Sequence, residues 1–243
     1  MTVGAVIPVA APGRTDISPV HPIGGVPMIV GVVRALIEVL TGPCVVVTDS
    51  HVDDVPAVLG AHLPAAPGLR VVSVAAADRK AMIAHGLAVL ETDVVAVQDA
   101  NRPLVPAEVI TRVVEAVRSG ADAAVPVVPV TDTVKQVDEH GRVVATLPRE
   151  QLREIQGPRA FRRDVLLAVL RGSDDLAGPA AEVAALRRSG GKVQAVGGAA
   201  EAFAVRHAVD VIRAEALLAE RRTPSPNQAR DAGWPAGGLR GVR

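Results

Sequence analysis

Aromatic side chains are nearly missing from this chain, which has one Trp, two Phe and no Tyr among 243 residues. Its core must therefore be built from Val, Leu, Ile and Ala. At 49% hydrophobic residues there are enough of these for one large α/β domain or two small ones. Cysteine is as scarce. The single Cys44 excludes an intrachain disulfide and suits a reducing cytoplasm, and at the head of an apolar run it reads as a small core residue. Net charge is absent too: 26 basic residues balance 26 acidic ones, so nothing global attracts nucleic acid or an acidic membrane surface. No apolar stretch approaches the roughly 18 residues of a membrane span. The chain opens directly into Val3, Ala5, Val6 and Ile7, without the basic and long apolar segments of a signal peptide. His21, His51, His62, His85, His140 and His207 show no spacing that would pair them on one face as metal ligands, and nucleophile motifs are lacking. Acid–base or covalent catalysis is thus not the natural reading. Transfer at phosphorus, which depends on positioning and charge, fits better.

What is present is alternation. Near-continuous apolar runs at 3–7, 44–48, 69–74, 94–98 and 123–128 read as parallel strands covered on both faces. Helical spacing falls between them. Pro27 opens one helix that carries Ile29, Val33, Leu36, Ile37 and Leu40, and a second runs over 106–119 with Val109, Ile110, Val113, Val114 and Val117 on one face. Repeated strand–helix–strand units predict an α/β fold with a Rossmann-like wound, mostly parallel sheet. Beyond residue 130 the pattern changes: 134–137 and 143–147 flank Asp138-Glu139-His140-Gly141, the signature of a hairpin that projects as an arm over about 131–149. Helical patterns return at 163–170 and 182–188, followed by a strand at 193–196 and a last helix near 207–221. The expected organisation is a single α/β domain over 1–221. Residues 222–243 are rich in Pro, Gly and Arg, a composition that predicts a disordered tail.

Three constellations carry chemistry. The loop Val9-Ala10-Ala11-Pro12-Gly13-Arg14 leaves the first strand where α/β proteins bind phosphates, and its N–H groups and Arg14 suit a triphosphate. Asp99-Ala100-Asn101-Arg102-Pro103 follows the strand at 94–98. An Asp there can help hold a divalent metal that bridges phosphates, and an Arg can pair with a phosphate in bidentate fashion. Thr131-Asp132-Thr133-Val134-Lys135 lies at the base of the arm with Arg149 beyond its return. Hydroxyl, ammonium and guanidinium groups gathered there suit a phosphorylated small molecule, or simply solvate the hairpin.

At these residues the chain resembles the methylerythritol phosphate cytidylyltransferases, which join CTP to methylerythritol phosphate in isoprenoid precursor synthesis and release pyrophosphate. The family's D-A-A-R-P appears as Asp99-Ala100-Asn101-Arg102-Pro103, its arm motif as Asp132-Thr133-Val134-Lys135, and its R-x-x-S-V-x-x-G-L as the segment keeping Arg79, Gly86 and Leu87. The segment from Leu152 through Pro158 to Phe161 is also similar. The resemblance runs over about residues 3–220. It implies a nucleotide site at Ala11, Gly13, Arg14, Arg79 and Met82, with Arg14 and Asp99 catalytic and Asp99 near Mg²⁺. It implies acceptor contacts from Asp99, Arg102, Thr133 and Arg149, the last two from a neighbouring subunit's arm, and hence a homodimer.

Departures from the family pattern cluster on the nucleotide side. The loop A-A-G-x-G-x-R is one residue shorter here and lacks its first Gly. No Lys follows it, since Lys80, Lys135 and Lys192 are the only lysines. Gly-Gly becomes Ala75-Ala76, a Ser becomes Met82, T-D-E reads Ala180-Ala181-Glu182, and a Lys near the acceptor phosphate falls at Ala204. A Lys aimed at developing charge contributes about two decades in rate, so an altered and weakened nucleotide site is expected. The residues leave open a second reading, a non-catalytic dimeric paralogue that binds a phosphorylated small molecule or a protein partner.

Overall fold

A computed structural model of the chain describes residues 1–10, 17–50, 52, 54–75, 78–173, 176 and 180–222. The expected loop contacts at Ala11, Gly13 and Arg14 lie outside the described residues, as does the tail from 223 onward.

In chain order the strands are β1 (Val3–Val9), β2 (Pro22–Ile23), β3 (Val26–Pro27), β4 (Cys44–Asp49), β5 (Leu69–Val74), β6 (Val94–Val97), β7 (Ala123–Pro129), β8 (Lys135–Val137), β9 (Val143–Thr146), β10 (Arg153–Ile155), β11 (Arg159–Arg162) and β12 (Val193–Gly197). The helices are α1 (Met28–Val39), α2 (Val55–His62), α3 (Arg79–Ala88), α4 (Ala107–Arg118), α5 (Arg163–Gly172), α6 (Ala181–Arg188) and α7 (Ala208–Arg222). The five apolar runs are the parallel backbone of the sheet. β1 pairs in parallel with β4 and β6, β4 with β5, and β7 with β12. The exception is β11, which runs antiparallel between β6 and β7, while β10 continues along the same side of β7, also antiparallel. β11 thus wedges the two parallel halves together.

Period-2 alternation sorts the strands onto two layers. Ala5, Ile7, Val9, Val46 and Ala96 face α1, α2 and α4, packing with Ile29, Leu36, Leu59 and Ile110. Val6, Val45, Val47, Val95 and Val97 face α3, α5 and α6, packing with Met82, Ile83, Leu166 and Leu186. β-branched strands and small residues allow close approach without aromatics. At Gly86 a Cβ would stand 2.6 Å from Val6 Cγ1, so α3 can rest directly on β1 only with glycine there. The arm is confirmed as a separate antiparallel pair, β8 with β9, in which Lys135 faces Thr146. Sequence periodicity missed α2, whose second residue Pro56 fits a first helical turn. It also missed β10 and β11, which are too short to show a period.

Cys44 is a core residue, 2% exposed, and burial pushes its thiol up to about 12. A thiol reagent at pH 8 is therefore expected to label the folded protein only as fast as it opens, with full labelling in denaturant. Because the folded value lies above the unfolded one near 8.5, Cys44's contribution to stability is intact below that pH and declines as pH rises from there towards about 12.

Candidate functional site

The alternation that builds the second core layer also builds the site. Val95, Val97 and Asp99 fall on one face of β6 and its continuation, and Arg159 and Phe161 fall on the matching face of β11. Arg159 lies opposite Val97 in the antiparallel register, which brings its side chain to the carboxyl end of β6. α3 contributes Arg79 from its first turn, capped by the Asp78 carboxylate accepting from Ala81 N at 2.7 Å. α6 contributes Glu182. The apolar layer thus ends in a knot of charge.

Arg159 grips Asp99 in bidentate fashion: Nη1 donates to Oδ2 at 3.1 Å and Nη2 to Oδ1 at 2.8 Å. Arg102 Nε donates to Asp99 Oδ2 at 3.4 Å, and Arg79 Nη2 stands 3.1 Å from Oδ1. Arg79 also donates through Nε to Glu182 Oε1 at 3.1 Å. Glu182 is wholly buried and Arg159 is 1% exposed. Burial alone would raise the Asp99 pKa, but Arg159, then Arg79 and Arg102, more than reverse this and hold its carboxyl well below the usual carboxylate range. Burial also opposes the charge of Arg159, yet Asp99 and Glu182 outweigh it and raise its pKa. Arg102 is lowered, by burial first and with Arg159's like charge added. Within the ion-paired set three guanidiniums meet two carboxylates, and the charge of the exposed Glu154 also acts on Arg102.

The turn that carries Asp99 is held from all sides. Gln98 Nε2 donates to the carbonyls of Asp99 and Arg102, at 3.1 and 3.4 Å, and Val205 N donates to Asn101 O at 2.7 Å. Gly157 lies so close that a Cβ there would stand 3.1 Å from Gln98 Oε1. Arg102 Nη1 donates to Ala202 O at 2.6 Å, and Nη2 to Ile155 O at 3.4 Å. All its nitrogens face inward, so Arg102 stitches the loop after β12 to the site. Expected as an acceptor ligand, it uses one donor on each nitrogen in these contacts and keeps a second N–H on Nη1 and on Nη2.

The other residues named from sequence are distributed as follows. Asp99, Arg102 and Arg79 come together. Met82 is 0% exposed among the core residues of α3, so the side chain expected against nucleotide faces the sheet. Arg149 Nη1 donates to Thr131 O at 2.8 Å at the base of the arm. Among the described residues no hydrogen bond or ion pair joins Thr133 or Arg149 to the Asp99 knot. Ala204 is half-buried, beside Phe203, whose ring lies 4.1 Å beneath the Arg213 guanidinium. Mg²⁺ at Asp99 does not fit the described side chains: both carboxylate oxygens are held by arginines, and a cation there would sit among three guanidiniums. No group of three or more His, Cys, Asp or Glu that could hold a metal occurs among the described residues. Arg159 escaped sequence reasoning. Its signal was a charge two residues before Phe161 on a segment otherwise buried, which implies a buried counter-ion.

Known proteins share the sequence pattern and the fold of this chain. A family profile described as 2-C-methyl-D-erythritol 4-phosphate cytidylyltransferase matches residues 5–220. The protein of that name from Frankia casuarinae is 38% identical, with 95% of this chain and 85% of that protein covered. That from Streptomyces avermitilis is 38% identical, with 90% and 92% covered. Among solved structures, the 2-C-methyl-D-erythritol 4-phosphate cytidylyltransferase of Thermus thermophilus superposes with a TM-score of 0.72 at 27% identity, over 89% of this chain and 98% of that one. The 4-diphosphocytidyl-2C-methyl-D-erythritol synthase of Anaerococcus prevotii shares the fold with a TM-score of 0.76 at 22% identity, over 90% and 96%. With nearly the whole chain matched in sequence and in architecture, the protein belongs to the 2-C-methyl-D-erythritol 4-phosphate cytidylyltransferase family.

Proposed function

We propose that this chain transfers a cytidylyl group from CTP to methylerythritol phosphate or a related polyol phosphate, in isoprenoid precursor synthesis, through an altered nucleotide site. The observation that carries the reading is the charge knot at the carboxyl end of β6, where three guanidiniums meet two carboxylates and Arg79 is the most exposed of the three. Open α/β sheets bind their ligands at this end of the strands, and a preorganised positive charge is what in-line displacement at phosphorus needs. In the reaction an oxygen of the acceptor phosphate attacks the α-phosphorus of CTP. The new O–P bond forms as the bond to the bridging oxygen breaks, and pyrophosphate leaves with that electron pair. Arg79 is the described side chain placed to meet the negative charge that builds on these oxygens. Thr133 and Arg149 would reach the acceptor from a second subunit in a cytoplasmic homodimer. This accounts for arm residues that make no contact with Asp99 within one chain.

The test is pyrophosphate release by the purified full chain with CTP, methylerythritol phosphate and Mg²⁺, with the other nucleoside triphosphates for comparison. Release that requires both CTP and the acceptor is expected. Release with another triphosphate alone would change the nucleotide. Absence of release, with no calorimetric binding of any triphosphate at millimolar concentration, would overturn the proposal in favour of a non-catalytic paralogue. The inward commitment of Arg102 and the burial of Met82 are the features that such a paralogue would share.

A further inference from the structure

Pairing within the charge knot is uneven, and the unevenness has a direction. Arg159 occupies both oxygens of Asp99. Arg102 has every nitrogen committed to Asp99, Ala202 or Ile155. Arg79 differs. Its Nε is bonded to Glu182, but its Nη2 stands 3.1 Å from both Asp99 and Glu182 without a directed hydrogen bond to either. It is also the most exposed of the three guanidiniums, at 17%. Held by charge alone on that side, Arg79 is the member able to turn towards an incoming anion. With Nε anchored on the buried Glu182, whether Nη2 turns depends on how much Asp99 needs it. With Arg159 in place Asp99 keeps two strong bonds when Arg79 leaves, whereas without Arg159 a buried carboxylate would hold Arg79 back.

We propose that Arg159 is a positioning residue: by satisfying Asp99 it releases Arg79 to bind a phosphate-bearing ligand at the mouth of the knot. Incomplete pairing elsewhere in the cluster points the same way. Arg159 Nε and Glu182 Oε2 are buried and have no hydrogen-bond partner among the described residues. Unpaired buried polar atoms destabilise a fold, and apolar side chains would fill the same space at least as well if packing were the cluster's purpose. The inference rests on the phosphate-transfer reading above, but it concerns binding, so it can be tested without turnover.

The probe is inorganic pyrophosphate, titrated calorimetrically into the full chain and its variants at one pH and ionic strength. Arg159→Gln is expected to bind about tenfold more weakly, the loss of one charge-assisted hydrogen bond. Arg159→Lys, which keeps the charge, stays within about threefold of wild type, and so does Arg159→Gln combined with Asp99→Asn, because Asp99 no longer detains Arg79. In an Arg79→Gln background, adding Arg159→Gln changes affinity by less than about twofold, which separates release of Arg79 from a general loss of positive charge. Wild-type affinity in Arg159→Gln, or a double variant with Asp99→Asn as weak as Arg159→Gln alone, overturns the proposal. Should Arg159→Gln not fold, the double variant with Asp99→Asn and the single Arg79→Gln still decide: the former must bind as wild type and the latter must not. If the chain proves unable to transfer a cytidylyl group, this order of affinities is unaffected, so the two readings fail separately.

Discussion

Asp99→Ala is expected to lower the stability of the chain by about 3–5 kcal/mol, the cost of leaving buried charges without their partner. Against a total of about 5–15 kcal/mol for a folded domain, that is a large fraction. The reason lies in what stays behind. Arg159 is 1% exposed and would lose both bonds of its bidentate pair, while Arg102, 6% exposed, would lose its Nε acceptor and feel the like charge of Arg159 undiminished. Urea denaturation should show a lower midpoint at unchanged slope. pH adds a second signature. The folded-state pKa of Asp99 is depressed, so its stabilisation is fully present above the unfolded value of about 3.9 and fades as pH falls below it. The gap between wild type and Asp99→Ala should therefore be widest at neutral pH and narrow in acid. A variant within about 1 kcal/mol of wild type at pH 7 would mean that the guanidiniums find other partners.

Replacing residues 136–145 by a two-residue Asn-Gly turn is expected to give a monomer by light scattering, with cytidylyl transfer reduced by at least about 100-fold if Thr133 and Arg149 complete the neighbour's site. The cut joins Lys135 to Thr146, which already face each other, with Lys135 Nζ donating to Thr146 Oγ1 at 2.6 Å. The main sheet makes no strand pair with the arm, so the melting of the body should be preserved. What is removed is apolar and bare: Val137, Val143 and Val144 are 54%, 62% and 56% exposed. Three valines on a two-stranded ribbon have no core of their own to enter, and a second subunit would cover them. A dimer that persists would place the subunit contact elsewhere.

How much of this was legible in the sequence depended on period. Strands buried on both faces announce themselves as runs of Val and Ile, and the parallel sheet was read correctly from 3–7, 44–48, 69–74, 94–98 and 123–128. α1 and α4 were equally plain, because their apolar residues recur at helical spacing. The arm was legible because Gly141 closes a short polar loop between two valine-rich segments, and its φ of 77° is one that glycine adopts without strain. β10 and β11, at three and four residues, carry too few alternations to register. The candidate site was half visible. Asp99, Arg102 and Arg79 could be named from resemblance and from their place after a strand or at a helix start. The bidentate grip of Arg159 could not, because it depends on an antiparallel register that brings residues 60 apart in sequence into contact. The burial of Met82 among the core residues of α3, and the bonds of Arg102 to Asp99 and to the carbonyls of Ala202 and Ile155, follow from three-dimensional packing that motif spacing does not carry.

The wedge position of β11 has a consequence for how the chain comes into being. β6 and β7 do not pair with each other; each waits for β11, which begins only at Arg159. A nascent chain emerging from the ribosome can assemble β1, β4, β5 and β6 early, but the β6 side of that half-sheet then stands open through the synthesis of about 60 further residues, several seconds at usual rates of elongation. An unpaired row of valine backbone is an invitation to other chains. Late closure by a single four-residue strand makes this stretch of synthesis the natural point for chaperone capture.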